Sequence, residues 1–198
     1  MHPISRTFYT RENIVLIAKD LLGKFLVTSI GGELASGMIV ETEAYEGVTD
    51  RASHAYGNRF TGRTKIMYEE GGTAYIYLCY GVHSLFNIVT NKKGVPHAIL
   101  IRGVIPEDGK DTMLARTGKV AIHKGFGIGP GKVSKILGIH YSMTGLDLTF
   151  NNPRRGENAI WLEDRGVKIP QEGILVSPRI GVEYSGPDAV LPYRFRLG

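Results

Sequence analysis

The sequence predicts an α+β fold in which helices surround a mostly antiparallel β-sheet. Strand-like runs of β-branched and aromatic residues outnumber the helical stretches, and several follow one another across a glycine turn. Strands do not alternate with long helices, as they would in a parallel α/β protein. The 198 residues contain no repeat or linker, and 42% of them are hydrophobic. We therefore expect residues 1–198 to form one domain with its own core.

The first predicted element is a helix over residues 10–22. Its apolar side chains recur at the spacing of one helical face, at positions 14, 15, 17, 18, 21 and 22. Thr10 is a suitable N-cap, and Gly23 stands where a helix commonly ends. Two shorter helices are expected at 107–116 and 132–137.

Strands are predicted on both sides of two glycine turns. The first pair, 24–30 and 36–42, surrounds Gly31 and Gly32, and its second strand continues to Tyr45. The second pair, 74–80 and 84–90, is joined at Gly81, Val82 and His83. Further strands are expected at 98–104, 159–162, 174–176, 180–184 and 193–196. Between the pairs, residues 46–65 form a polar loop too long for a simple connection.

Composition limits the class of protein. Lys and Arg total 24 against 19 acidic residues, and the net charge of +5 favours a polyanionic partner such as nucleic acid. Cys79 has no second cysteine to pair with, and the six scattered histidines offer no ligand spacing, so we expect an intracellular protein without metal. The N-terminus has no apolar signal core, and the apolar run 98–101 stops at Arg102, so no membrane segment is expected and a cytoplasmic location is favoured.

The glycine-rich segment 125–131 leaves two interpretations open. Its spacing fits neither a Walker loop nor a dinucleotide fingerprint. Followed by Lys132 and a helix, it is like the turn of a helix-hairpin-helix, whose backbone N–H groups hold a DNA phosphate. A tight turn before a short helix explains it equally well.

A second group of residues indicates chemistry. Side chains alternate along a strand, so Glu41, Glu43 and Tyr45 share one face. Taken alone, Glu43 would be a solvated edge carboxylate and Tyr45 a core residue. The basic loop with Arg59 and Arg63 and the nearby tyrosines instead favour a nucleic-acid site that carries out a reaction.

Several separated motifs together resemble the 3-methyladenine DNA glycosylases of the alkyladenine glycosylase family. They are Glu41-Thr-Glu-Ala-Tyr45, His54, the run 72–81, Asn87-Ile88, Leu100-Ile-Arg102, Gly129-Pro-Gly-Lys132 and Arg179-Ile-Gly-Val182. The resemblance extends in order from the first helix to Arg196. It implies a compact mixed domain with a curved sheet and a protruding hairpin, no metal or organic cofactor, and hydrolysis of the N-glycosidic bond of damaged purines in duplex DNA.

The resemblance also implies catalytic roles. Glu43 would be the general base that activates a water against C1′ of the flipped nucleotide. Arg102 and the backbone carbonyl of Ile180 would position that water. A carboxylate at this place suits the reaction because the sugar becomes cation-like as the glycosidic bond breaks.

Further residues would bind the substrate. The resemblance places Tyr45 on one face of the flipped base, His54 and Tyr77 on the other, and Asn87 at the pocket floor. It makes Tyr80 the side chain that enters the minor groove in place of the extruded nucleotide. Additional DNA contacts are expected from the neighbouring tip and from basic side chains: Val82, His83, Arg59, Arg63 and Lys132.

The implied substrates are alkylated or deaminated purines, of the 3-methyladenine, 7-methylguanine, hypoxanthine and ethenoadenine class. Electron-rich tyrosines would favour the cationic lesions. Double-stranded DNA is the implied partner, and the protein is expected to be a monomer. Two alternatives remain. A non-catalytic nucleic-acid-binding domain would use the same tyrosines and arginines with Glu43 incidental, and a hydrolase of free nucleosides would use Glu43 and the tyrosine pocket but not the basic loop or the hairpin tip.

Overall fold

In the computed structural model, which describes residues 3–150 and 157–198, eight strands form one sheet. The order along its main path is β3-β4-β5-β2-β1-β6, and β8 joins β2 to β7. All of these strand pairs are antiparallel, which confirms the predicted α+β fold with a mostly antiparallel sheet. The strands are β1 (Phe25–Ile30), β2 (Glu33–Tyr45), β3 (Ala74–Cys79), β4 (His83–Thr90), β5 (His97–Pro106), β6 (Ala159–Glu163), β7 (Ile174–Ser177) and β8 (Arg194–Leu197).

Four α-helices pack around this sheet in the described part of the chain: α1 (Arg6–Tyr9), α2 (Ile14–Asp20), α3 (Lys110–Thr117) and α4 (Pro130–Leu137). The helix α2 lies against β2, and α4 lies against β4 and β5. Their apolar faces meet the inner face of the sheet in one large core, which includes Ile17, Ile39, Ile101, Val133 and Phe195. Burial of these side chains at helical and strand spacing explains why the sequence pattern located most elements.

The long strand β2 organises the site. One edge of β2 pairs with β5, and its other edge pairs first with β1 and then, at residues 41–43, with β8. The β2–β5 register shifts on both sides of Glu41, so that Val40 and Arg102 are skipped in the pairing. Such irregularities bend a strand and redirect its side chains. The carboxyl end of β2 therefore presents Glu43 and Tyr45 between the neighbouring strands.

The predicted helix over 10–22 is wrong in its first part and two residues too long at its end, because α2 covers only Ile14–Asp20. Thr10 follows α1 as its C-cap, its N–H donating to the Arg6 carbonyl, instead of beginning α2. Asn13 is the N-cap of α2, because its side chain accepts a hydrogen bond from the Leu16 N–H. Both residue types are suitable caps, and the apolar periodicity could not choose between them.

The predicted strand at 180–184 is also wrong. Gly181 adopts a φ of +74°, and a 3₁₀-helix over Glu183–Val190 follows it. The apolar residues of this segment face a cavity and not a neighbouring strand. Their apolar and aromatic pattern therefore resembles that of a strand although the segment is not one. The other predicted strands and the two later helices are confirmed, although α3 begins at Lys110, three residues after the predicted start.

Candidate active site

A cavity of about 230 Å³ opens where β3, β4 and β5 meet the end of β2 and the segment 180–184. Aromatic rings dominate its walls, and two of the predicted catalytic residues, Arg102 and Ile180, reach it. The residues that line the cavity include Tyr45, His54, Tyr75, Tyr77, Tyr80, Asn87, Arg102, Ile180 and Tyr184. The predicted pocket residues, spread over more than a hundred positions of the chain, therefore come together in one place.

Glu43 is fully buried directly behind this cavity. One carboxylate oxygen accepts a hydrogen bond from the Ile180 N–H at 2.8 Å, and the other accepts from the Tyr45 hydroxyl at 2.8 Å and from Arg102 Nη1 at 3.4 Å. Ile180 thus contacts Glu43 through its N–H, whereas the family resemblance implies that its carbonyl positions the water. Burial, the largest effect, raises the pKa of the Glu43 carboxyl above its ordinary value of 4.5, while Arg102, Ile180 and Tyr45 act against that rise.

Arg102 links two buried carboxylates. Its Nε donates to Glu41 at 3.1 Å, while Nη1 contacts Glu43. Glu41 in turn accepts a hydrogen bond of 2.6 Å from Arg194 of β8. Gly103 stands opposite Glu41, and a Cβ at that glycine would lie 3.1 Å from the Glu41 Cβ. A side chain at 103 would therefore crowd Glu41, one of the two carboxylates that bind Arg102.

Tyr45 is supported from outside the cavity by a buried arginine. The guanidinium of Arg179 lies 4.7 Å from the centre of the Tyr45 ring. Asp50 binds Arg179 in a bidentate ion pair whose second contact, Nη2 to Oδ1, is 2.8 Å, and both side chains are buried. Arg179 also donates to the Ala44 carbonyl at 2.8 Å. This ion pair connects the end of β2, the polar loop and the segment that carries Ile180.

The cavity is also lined by His54 and Tyr77, whose ring centres are 4.7 Å apart. His54 Nε2 lies 3.2 Å from Arg63 Nη2, and its Nδ1 lies 2.7 Å from the Tyr75 hydroxyl. Arginine can only donate, so Nε2 is the acceptor and Nδ1 carries the proton. Burial, followed by the charges of Arg63 and Arg59, lowers the pKa of His54 to about 4. His54 is therefore neutral at physiological pH.

Asn87 occupies the buried end of the cavity. Its amide group donates to the carbonyls of Tyr75 and Leu85, at 3.1 Å in each case. These two bonds use both amide hydrogens and determine which way the amide faces.

The hairpin of β3 and β4 ends in an exposed turn, as predicted. Tyr80 is 94% exposed and Val82 is 72% exposed. Tyr80 has a φ of +51°, which is uncommon for a tyrosine, and the next residue, Gly81, has a φ of +71°. At the base of the turn, His83 packs against α4, and a Cβ on Gly131 would lie 3.1 Å from the His83 ring.

The predicted basic DNA contacts occupy different environments. Arg59 is exposed in the polar loop, and the exposed Lys132 extends from α4 toward the Gly125 carbonyl, 3.4 Å away. Arg63 is also exposed, and it stacks on the Tyr77 ring, with 4.6 Å between its guanidinium carbon and the ring centre. In the glycine-rich segment, the Gly129 N–H donates to the Arg102 carbonyl at 2.7 Å. That N–H is therefore occupied within the protein, and the segment leads directly into α4 at Pro130.

Sequence reasoning missed several residues of the site. Arg179 belongs to one of the family-like motifs but was given no role, and Asp50 carried no local signal, because their ion pair joins positions 129 residues apart. Tyr184 was assigned to a strand, yet it lies at the mouth of the cavity and donates from its hydroxyl to the Ala52 carbonyl at 3.2 Å. Tyr75 could have been found from strand alternation, since it shares a face of β3 with Tyr77.

Among residues 3–150 and 157–198, no group of three or more His, Cys, Asp or Glu side chains is placed to hold a metal ion. The same part of the chain contains no helix with the length and hydropathy needed to span a membrane.

Comparison with known proteins places this site in an enzyme class. The model of the methylpurine-DNA glycosylase (MPG) family matches residues 7–198. A protein of Chlamydia felis is 40% identical over 195 residues, covering 98% of this chain and 95% of the relative. One of Clostridium novyi is 43% identical over 204 residues (100% and 96%), and one of Methanocella arvoryzae is 38% identical over 195 residues (98% and 92%). Each of the three is named "Putative 3-methyladenine DNA glycosylase".

These findings identify a DNA glycosylase, a hydrolase that acts on N-glycosidic bonds in DNA. The chain belongs to the methylpurine-DNA glycosylase family. Membership confirms the resemblance drawn from the sequence motifs. It also favours a DNA repair enzyme over the two alternatives, a non-catalytic binding domain and a nucleoside hydrolase.

Proposed function

We propose that this protein flips alkylated or deaminated purines out of duplex DNA and hydrolyses their glycosidic bond with a water activated by Glu43. The single observation that carries the proposal is the position of Glu43, a buried carboxylate of raised pKa directly behind an aromatic cavity. Burial of a carboxylate is costly because its charge loses hydration, and a carboxylate of shifted pKa beside a cavity is a candidate catalytic group.

In this mechanism the water oxygen attacks C1′ as the bond from C1′ to the base breaks. The bonding pair leaves with the base, and Glu43 accepts the proton that the water loses. Three hydrogen bonds occupy the Glu43 oxygens, and a carboxylate has about four acceptor positions, so one remains for the water. Arg102 and the Ile180 carbonyl hold that water, and the products are a free base and an abasic site.

The cavity accepts the base between Tyr45 on one side and His54 and Tyr77 on the other. Asn87, fixed by its two backbone contacts, limits the size of the purine at the buried end. The implied lesions are 3-methyladenine, 7-methylguanine, hypoxanthine and ethenoadenine. Which of them the cavity accepts is decided by these four side chains.

DNA binds across the hairpin tip from the minor groove. Tyr80 enters the stack where the nucleotide has left it, and its exposure and its rare backbone conformation support this role. Val82, His83, Arg59 and Lys132 contact the flanking duplex. Residues 1–198 act as one glycosylase domain, and a monomer suffices because one chain supplies all of these groups.

The variant Glu43→Gln tests the mechanism on a duplex that contains one ethenoadenine. The amide preserves shape but cannot accept a proton, so base release should fall by at least about 100-fold. Binding should remain within about threefold of the wild type, and ethenoadenine fluorescence should still rise when the base leaves the stack.

Glu172→Gln is the matched control, because it removes an exposed carboxylate outside the cavity. It should release base at the wild-type rate. Base release by Glu43→Gln within tenfold of that rate would remove Glu43 from the proposed role, and unchanged fluorescence on binding would contradict flipping.

A further inference from the structure

Arg63 is an exposed residue of the polar loop, and its side chain packs on the aromatic wall of the cavity. Its guanidinium carbon lies 4.6 Å from the centre of the Tyr77 ring, and its Nη2 contacts His54 at 3.2 Å. Tyr77 and His54 line the cavity, whereas Arg63 does not. The positive charge is thus held against the outside of a wall whose inner side would meet the base.

The charge of Arg63 is uncompensated. Ion pairs within residues 3–150 and 157–198 include none to Arg63. The opposite wall differs, because Arg179 on Tyr45 is neutralised by its bidentate partner Asp50. His54 supplies no negative charge, since it is neutral and donates its proton to Tyr75. A base in the cavity would therefore experience a net positive field from the Arg63 side.

This arrangement opposes the preference that the tyrosines alone would give. A cation over an aromatic ring is attracted to its electron-rich face, and Arg63 already makes that interaction with Tyr77. A cationic purine on the same ring would compete for it and would meet a like charge across the ring. An uncharged purine has no such cost.

The difference between the two kinds of lesion persists through the reaction. As the glycosidic bond breaks, a cationic purine becomes neutral, while an uncharged purine develops negative charge until a proton reaches it. At every stage the cationic purine therefore carries one more positive charge than the uncharged purine. A fixed positive charge beside the base therefore stabilises the transition state of the uncharged lesion relative to that of the cationic lesion.

We propose that Arg63 is a specificity-determining residue that favours excision of uncharged purines over cationic ones by holding an unpaired positive charge against Tyr77 and His54. The inference rests on the proposed function, because it requires the base to enter the cavity beside Tyr77. In this role Arg63 stabilises the negative charge that develops on an uncharged purine as the glycosidic bond breaks.

The test compares kcat/KM for two duplexes, one with 7-methylguanine and one with hypoxanthine, at pH 8, where an unperturbed histidine is neutral in every variant. Arg63→Gln should raise the ratio of 7-methylguanine to hypoxanthine excision by about three- to fivefold relative to the wild type. Arg63→Lys keeps the charge and should leave the ratio within about twofold.

Arg59→Gln is the matched control, because it removes one positive charge from the same loop without a ring contact. It should lower excision of both lesions by a similar factor and leave the ratio unchanged. A ratio that is unaltered in Arg63→Gln, or altered equally in Arg59→Gln, overturns the role of Arg63 while the proposed function stands. Absence of base release by the wild type from both duplexes would overturn both.

Discussion

At the scale of single residues, Glu43 is governed by opposing influences. Burial favours its protonated form, whereas Arg102, the Ile180 N–H and the Tyr45 hydroxyl favour the carboxylate. A general base works only when ionised, so excision should decline on the acid side with an apparent pKa above 4.5. Protonation of Glu43 does not lower the free energy of unfolding, because a raised pKa in the folded state means that the folded protein binds this proton more tightly than the unfolded chain does.

Tyr45→Phe separates the ring of Tyr45 from its hydroxyl. Loss of the hydrogen bond to Glu43 removes one influence that lowers the pKa of the carboxyl, so the acid limb of the excision profile should shift to higher pH. At pH 8, on the alkaline side of that limb, the rate should stay within about threefold of the wild type. Single-turnover rates between pH 4 and 9 measure both effects.

The corresponding control is Tyr193→Phe, which removes a hydroxyl bound to Glu46. Its acid limb should coincide with that of the wild type. A loss of more than about 100-fold in Tyr45→Phe at pH 8 would place the hydroxyl in the path of the proton and not beside it.

At the scale of structural elements, the ion pair of Arg179 and Asp50 holds three segments together. It joins the end of β2, the loop that contains Asp50 and the segment that positions Ile180. The sheet does not include the last two segments, so this contact replaces strand pairing as the means of fixing them. Buried ion pairs hold such positions well but leave a costly charge when one partner is lost.

Asp50→Asn should destabilise the protein by about 3–5 kcal/mol, because it leaves the Arg179 charge buried without a counterion. Thermal unfolding measures the change, at roughly 2–4 °C per kcal/mol for a chain of this size. Asp164→Asn breaks the ion pair with Lys24, in which the aspartate is about half exposed, and should cost about 1 kcal/mol or less. Equal losses in the two variants would mean that the buried pair has no special structural role.

The hairpin tip allows function to be separated from stability. Tyr80→Asn should reduce excision from fully paired lesion sites much more than from sites where the lesion is bulged, because less unpairing must be offset there. Asn tolerates positive φ better than Tyr, so the melting temperature should be unchanged or higher.

Val82→Asn serves as the control at the same turn, since Val82 is also exposed but follows the two residues of positive φ. Its loss of excision should be smaller. If Tyr80→Asn lowers excision from paired and bulged sites equally, together with the melting temperature, Tyr80 acts in folding and not in the groove.

At the scale of the whole molecule, the net charge of +5 governs attraction to DNA. Binding to undamaged duplex should weaken with salt along a log–log slope of about −0.9 for each phosphate neutralised. Arg59→Ala should make the slope less steep by about 0.9, because that exposed side chain lies beside the cavity wall.

Lys168→Ala removes the same charge near Lys24 and α2, away from the cavity. Its affinity should decrease slightly while its slope matches the wild type. Equal slopes in Arg59→Ala and the wild type would indicate that the loop does not contact phosphate.

Much of the fold could be predicted from local patterns, because a helix face or a strand face is recorded within about a dozen neighbouring residues. The face of α2 and the turns at Gly31 and Gly81 illustrate this. Prediction failed where two local solutions were equivalent, as with Thr10 and Asn13, and where apolar residues faced a cavity, as in 180–184. The resemblance to a family supplied the candidate site residues, and the structure brings most of them to one cavity.

Residue types and their spacing encode the α+β class, most element positions, the basic charge and the family motifs. The folded chain adds three contacts: the Ile180 N–H donates to Glu43, Arg179 pairs with Asp50, and Arg63 stacks on Tyr77. The first two contacts join positions more than 120 residues apart, and the third depends on how a loop folds onto a strand. No local spacing encodes such contacts, because strand order and loop packing determine which distant side chains become neighbours.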